Sequence, residues 1–280
     1  MIGILKARLQ QGHRTMDYPY GPAPALPARF AGRPVFEQGS CASDCRACED
    51  ACPTDAIAAE NGTPRLDLGR CIFCRECEHA CPSSVIRFQG DFHMAAAVRE
   101  DLVVSEGNPV RPVTANDTIK KLFGRSLKLR EVSAGGCNAC EADVNVLSTL
   151  AWDLGRFGIQ FVASPRHADG VLVTGPVTGN MELALRKTYA AIAEPKLVIA
   201  VGACAISGGL FESHGETCGG VTGILPVDLF IPGCPPHPLT ILDGLLQLIG
   251  RIAQPGYLDD RLEGGRCAGS SRVLASASPQ

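Results

Sequence analysis

Cysteine spacing constrains this chain more than any other feature. Eight cysteines fall into two copies of one pattern, Cys41-x3-Cys45-x2-Cys48-x3-Cys52-Pro53 and Cys71-x2-Cys74-x2-Cys77-x3-Cys81-Pro82. Cys45, Cys48, Cys52, Pro53 and Ile57 each recur 29 positions later, at Cys74, Cys77, Cys81, Pro82 and Ile86, and only Cys41 is offset, to Cys71, by one further residue. Units this small bury too little apolar surface to fold unaided. Each copy therefore needs a metal or cross-links.

Three readings compete for these thiols. A disulfide knot wants an oxidising compartment, and the start MIGILKARLQQGHR has neither the apolar core nor the small-residue cleavage site of a secretory signal. Zinc sites are usually built from two separated Cys-x2-Cys knuckles, whereas here three cysteines run together and a proline follows the fourth. Iron–sulfur ligation matches the run itself: three closely spaced thiolates take one cubane, and the fourth thiolate crosses over to the other. On that rule one cluster takes Cys41, Cys45, Cys48 and Cys81, and the other takes Cys71, Cys74, Cys77 and Cys52. The region resembles a bacterial-type two-cluster ferredoxin. It departs from that pattern at Ala42-Ser43-Asp44, a three-residue gap that makes Cys41 the least secure ligand.

The remaining composition removes other classes. Lys and Arg number 26 against 29 Asp and Glu, a formal charge of -3, so no basic excess argues for nucleic acid or an anionic membrane surface. No window offers the roughly 20 continuous apolar residues of a membrane helix, since the best stretch, Tyr189 to Leu210, is broken by Glu194, Pro195, Lys196 and glycines. Any membrane connection is expected to run through partners. Neither a G-x-G-x-x-G nor a G-x-x-x-x-G-K-[ST] motif occurs, which leaves nicotinamide and ATP sites without support.

Along the chain, residues 1–37 are rich in proline and read as an extended arm, residues 38–92 as the ferredoxin domain and residues 93–125 as a linker. From 126 to 256 short apolar runs alternate with helical patterns. Leu127 to Val132, Ile159 to Ala163, Gly170 to Thr174, Leu197 to Val201 and Val227 to Ile231 read as strands. Ala139 to Leu154, Asn180 to Ala193 and Pro236 to Ile252 read as helices, with a shorter one at Thr118 to Phe123. Such alternation predicts crossover units on a parallel sheet. Residues 257–280, rich in Gly, Ser, Ala and Arg, read as a flexible tail.

Four more cysteines stand where predicted strands end. Cys137 and Cys140 follow the first strand, Cys204 follows the strand ending at Val201, and Cys234 follows the strand ending at Ile231. Ligands of an open parallel sheet bind at the carboxyl ends of its strands, so thiols distant in sequence are expected to meet there. Gly135, Gly136, Gly202 and Gly233 would let the backbone pass close to a bulky group. Four soft thiolates suit an iron–sulfur cubane or zinc.

The stretches CNACEAD, GACAISGG and LPVDLFIPGCPPHP, over roughly residues 126–256, resemble the 20 kDa (B-type) subunit of NADH-quinone oxidoreductase. They also resemble its relatives, the small subunits of formate hydrogenlyase and other membrane-bound energy-converting [NiFe] hydrogenases. The arm, with Tyr18-Pro19 and Arg29-Phe30-Ala31-Gly32-Arg33-Pro34, resembles the two-cluster ferredoxin subunit of the same complexes. The resemblance implies a fusion: an α+β two-cluster ferredoxin domain followed by an α/β parallel-sheet, flavodoxin-like domain carrying a third cluster. Quinone-reducing members have two adjacent cysteines at the first ligand site, whereas this chain has Gly136 before Cys137, as hydrogenase members do.

The expectation is thus an electron carrier with three [4Fe-4S] clusters and no catalytic residue of its own, working as a subunit of an oxidoreductase complex. Its expected partners are a hydrogenase large (catalytic) subunit or its quinone-reductase homologue, an electron-donor iron–sulfur subunit and membrane subunits of the same complex. That places it peripherally on the cytoplasmic side of the cell membrane. A rival reading from another class is a zinc-stabilised scaffold. Asp143, at the family's acidic position, and Glu141 read as carboxylates of a solvated helix face. Cys218 and Cys267 read as free thiols, and His214 and His237 as partner-facing polar residues.

Overall fold

The computed structural model describes residues 2–12, 14–37, 41–42, 44–60, 62–111, 113–114 and 116–252. The expected tail, and Cys267 in it, lie outside the described residues. In chain order the first part comprises α1 (Ile2–Gln11), β1 (Pro34–Phe36), α2 (Ala47–Asp50), β2 (Ile57–Glu60), β3 (Thr63–Asp67), α3 (Glu76–Ala80), β4 (Ile86–Phe88), β5 (Val103–Ser105) and α4 (Asp117–Phe123). The sequence duplication survives folding: α2 and α3 start at 47 and 76, β2 and β4 at 57 and 86, each pair 29 positions apart. β1 pairs antiparallel with β4, and β3 pairs antiparallel with both β2 and β5.

The second part comprises β6 (Leu127–Ser133), α5 (Ala139–Val146), β7 (Ile159–Phe161), β8 (Gly170–Thr174), α6 (Gly179–Ala190), β9 (Leu197–Val201), α7 (Ala203–Ser207), β10 (Leu229–Ile231) and α8 (Pro238–Leu248). Its five strands are all parallel, in the order β10-β9-β8-β6-β7. That is the 2-1-3-4-5 arrangement of flavodoxin-like sheets. β8, β9 and β10 are buried along their whole length and carry mostly Val, Leu and Ile, as strands covered on both faces do. α8 is buried throughout, which explains why ILDGLLQL shows little polar periodicity.

Several elements differ from the sequence reading. The helix expected over Ala139 to Leu154 stops at Val146. The Thr149 hydroxyl donates to the Val146 carbonyl and satisfies the last turn, so a hydroxyl side chain competes with continued helix. The strand expected from Val227 begins at Leu229, because the Asp228 carboxylate accepts the Val198 N–H at 2.8 Å in place of a backbone carbonyl.

The arm is not simply extended. It opens with α1, and its later residues are fastened to the second part: the Arg156 guanidinium donates to the carbonyls of Met16 and Tyr18, both at 2.7 Å. Pro34–Phe36 then joins the ferredoxin-side sheet as β1. The stretch read as a linker also does more than connect. Its Val103–Ser105 is β5, Arg99 forms a two-pronged ion pair with Asp67 at 2.8 and 2.6 Å, and Ala96 exchanges both backbone hydrogen bonds with Phe230 of β10. Apolar side chains decide this, since Ala95, Ala96, Leu102, Val104 and Val110 are all buried.

Candidate metal centres

The short helices α2 and α3 bring the duplicated thiols inward: Cys48 on α2, Cys77 on α3 and Cys71 just before Cys74 are buried. Electrostatic influence between thiols reveals which ones gather. Cys41 is affected by Cys81 and Cys45, and Cys48 by Cys81 and Cys41, whereas Cys71 is affected by Cys77, Cys52 and Cys74, and Cys77 by Cys52 and Cys74 and, least, by Cys48 of the neighbouring group. Two groups of four emerge, with Cys81 and Cys52 exchanged between the copies. The second group opens on one enclosed cavity walled by Pro53, Ile57, Leu66 and Phe88.

Backbone donors converge on these sulfurs. The Ala56 N–H donates to Cys52 Sγ at 3.2 Å and the Val85 N–H to Cys81 Sγ at 3.3 Å, the same four-residue step in each copy. The Phe73 N–H donates to Cys71 Sγ at 3.3 Å. Sequence reasoning missed these donors, although the shared segment after each Cys-Pro is their signal. Burial, reinforced by the neighbouring Cys52 and Cys74, pushes the Cys77 thiol up to about 12, and burial raises Cys71 still further. Buried, mutually repelling thiols do not ionise alone; a bound cationic centre reverses that balance.

The third group forms at the carboxyl ends of β6, β9 and β10. Cys140 is affected by Cys204, Cys234 and Cys137; Cys204 by Cys234 and Cys137; and Cys234 by Cys137. Burial pushes Cys204 up to about 11 and raises Cys140 and Cys234 too. Gly202, at φ +90°, is bare where it faces this group: a Cβ there would lie 2.7 Å from Cys140 Sγ. Gly233, at φ +151°, lets the chain double back so closely that a Cβ would strike the Pro236 backbone at 2.2 Å. Both glycines serve close approach at the site.

The residues fit soft, multi-iron centres: three sets of four thiols, backbone N–H donors to sulfur, and apolar walls. All described cysteines are free thiols. Among the described residues no three His, Cys, Asp or Glu side chains converge tightly enough to hold one metal ion.

Other candidates are placed differently from expectation. Glu141 is not on a solvated face; it is buried, and its carboxylate accepts the Thr174 hydroxyl at 2.7 Å. Although burial opposes ionisation, hydrogen bonds from Ser133 and Thr174 hold its pKa below the ordinary value. Asp143 is half-buried, and that burial raises it. His237 does not face outward as a free polar group: its ring accepts the Leu239 N–H to cap α8 and lies edge-on to Phe30 and Trp152. His214 is exposed beside Phe211 and Thr217. The Cys218 thiol sits 3.8 Å from the Glu182 carboxylate and joins none of the three groups.

A duplicated cysteine module joined to a flavodoxin-like sheet, with thiols clustered at the sheet's carboxyl edge, defines an iron–sulfur electron-transfer protein. Residues 40–85 match the 4Fe-4S dicluster domain family, and residues 137–248 match the family described as NADH ubiquinone oxidoreductase, 20 kDa subunit. The chain is 41% identical over 134 residues to a probable membrane-bound hydrogenase subunit of Pyrococcus furiosus, covering 48% of this chain and 80% of the relative. It is 38% identical over 170 residues to formate hydrogenlyase subunit 7 of Escherichia coli, covering 56% of this chain and 66% of that protein. It is 44% identical over 118 residues to the B-type subunit of the NADH-quinone oxidoreductase of Citrifermentans bemidjiense, covering 42% and 69%. The chain belongs to the NADH ubiquinone oxidoreductase 20 kDa subunit family, with a dicluster ferredoxin domain preceding that part, and is an electron-transfer component of an oxidoreductase. No helix among the described residues is long and apolar enough to cross a membrane.

Proposed function

We propose that this chain carries three [4Fe-4S] clusters and relays electrons to or from the catalytic subunit of a membrane-associated [NiFe] hydrogenase complex of the formate hydrogenlyase type. The single observation that carries this reading is the sorting of twelve thiols into three sets of four: Cys41, Cys45, Cys48 and Cys81; Cys71, Cys74, Cys77 and Cys52; and Cys137, Cys140, Cys204 and Cys234. Each bound cluster would take up and release one electron, at a potential set by burial and by hydrogen bonds to sulfur. The chain's own residues hold and insulate these groups.

The second set lies between the other two in this reading. The Ser207 hydroxyl, on the helix that bears Cys204, donates to the Gly69 carbonyl at 2.9 Å, and Arg70 pairs with Glu212 just beyond that helix. Ile72 and Phe73, inside the Cys71–Cys74 loop, line the same pocket as Cys234. This segment is the material link between the second and third sets, and no residue of the first set lines that pocket. The third set, with two exposed thiols, Cys137 and Cys234, against one, Cys74, in the second set, is the more open to a catalytic partner.

Gly136 directly before Cys137, in place of a second cysteine, favours a hydrogenase partner over a quinone-reducing one. Membrane subunits, an iron–sulfur electron donor and a cytoplasmic, peripheral position complete the proposal. Anaerobic EPR of the reduced complex, with nickel analysis of the catalytic partner, tests it. The expected result is three cluster signals and one nickel per complex; three signals with no nickel would move the chain to the quinone-reducing branch.

A further inference from the structure

β7 covers only the first three residues of β6: Leu127, Lys128 and Leu129 pair with Ile159, Gln160 and Phe161. The odd-numbered residues of β6 turn their backbone toward β7, as the Gly158 carbonyl accepting from the Leu127 N–H and the Leu129 carbonyl accepting from the Val162 N–H show. The same alternation aims the N–H and C=O of Glu131 and Ser133 past the end of β7, where no hydrogen-bonding partner meets them among the described residues. This is an open sheet edge, the template on which an added strand pairs.

The edge borders a wide, open depression. Glu131, Glu141 and Asn145 line it on the face of the sheet that packs with α5, and Met181 and Ala184 of α6 line it on the opposite face, where Val132 and Ala134 are buried. One oxygen of the Glu131 carboxylate is buried with no hydrogen-bond partner. Glu141 bears on the same carboxyl, and burial and this neighbour, only partly offset by Arg130, push Glu131 up to about 7. A buried acceptor without a donor costs free energy until one is supplied. The depression also begins beside Cys137 and Cys140, since Asn138 lines it.

We infer that the Arg130–Ser133 edge of β6 is a docking slot for an extended segment of the catalytic partner, which adds as a strand. That segment presents a Lys or Arg to Glu131 and Glu141 on one face and small apolar side chains to Met181 and Ala184 on the other. Main-chain pairing supplies affinity, and the alternating faces supply selectivity. The inference rests on the reading that the third cysteine set faces a catalytic partner.

Hydrogen exchange of the anaerobically purified full chain, alone and within its complex, tests the slot. The Glu131 and Ser133 amides should exchange about tenfold more slowly, or slower still, in the complex, and equal rates would overturn the inference. Benzoylphenylalanine placed at Arg130 should cross-link, in the complex, to a partner segment containing Lys or Arg. Cross-links to residues 253–280 of the same chain, or to a second copy, would overturn it. Glu131→Lys should abolish the protection while its iron content and EPR signals stay at wild-type values. Retained protection in that variant sinks the slot, whereas lost iron in the wild-type chain sinks the cluster reading instead.

Discussion

The Tyr18 hydroxyl donates to Asp243 Oδ1 at 2.6 Å, joining the proline-rich arm to a helix 225 positions away. Asp243 is 1% exposed, and the Gln247 amide donates to its other oxygen at 2.6 Å. The helix they share, α8, follows directly from the Cys234 loop. Tyr18→Phe is predicted to destabilise the chain by about 1–3 kcal/mol, because Asp243 keeps its burial and loses a donor. Anaerobic denaturant unfolding measures this. A change within error would mean that the arm does not fasten α8.

The same cluster makes stability depend on pH. Burial opposes the charged His93 ring, but the hydrogen bond to Asp91 at 2.6 Å and the charges of Asp243 and Asp91 outweigh both burial and the nearby Arg33, so His93 is raised above 6.5. A group raised on folding holds its proton more tightly in the native state. Its contribution is present in full below pH 6.5 and is lost as pH rises through the higher native value. Asp243, raised chiefly by burial, acts in the same sense, while Asp91, held low by His93 and Arg33 despite burial, contributes stability that is lost in acid. Unfolding titrations should show wild-type stability falling above pH 6.5 and a flatter profile in His93→Gln; parallel profiles would remove His93 from the account.

Gly202→Ala probes the third set without touching a thiol. At φ +90° a side chain is strained, and its Cβ would lie 2.7 Å from Cys140 Sγ. The predicted outcome is loss of about four irons per chain, one cubane's worth, with the ferredoxin-side signals retained. Retention of all iron would show that the bare edge at Gly202 is not needed for the centre.

Cysteine replacements should sort by set. Cys204→Ala and Cys234→Ala are expected to remove only the third centre, and Cys41→Ala is expected to be milder than Cys45→Ala because of the widened gap between them. EPR of each reduced variant decides. Loss of all centres in Cys234→Ala would contradict separate sites, and equal loss in Cys41→Ala and Cys45→Ala would show that the gap is immaterial.

What the sequence disclosed follows from where its signals were local. The 29-position repeat and the strand-end cysteines needed only spacing, and β8 and β9 were readable because their apolar runs are buried on both faces. The parts that eluded it depend on distant partners. Glu141 looks like a surface carboxylate until β8 brings Thr174 to it, and His237 looks free until Phe30 and Trp152 flank it. The stretch after Phe92 reads as a connector until β3 and β10 claim its Val103–Ser105 and Ala96. Asp228 and Thr149 shortened elements by hydrogen bonds that no periodicity records.

Iron and acid-labile sulfide, measured together on the anaerobically purified full chain, decide whether the twelve thiols hold cubanes. Three cubanes predict about twelve of each per chain. Stoichiometric zinc without sulfide, or thiols paired as disulfides, would contradict it.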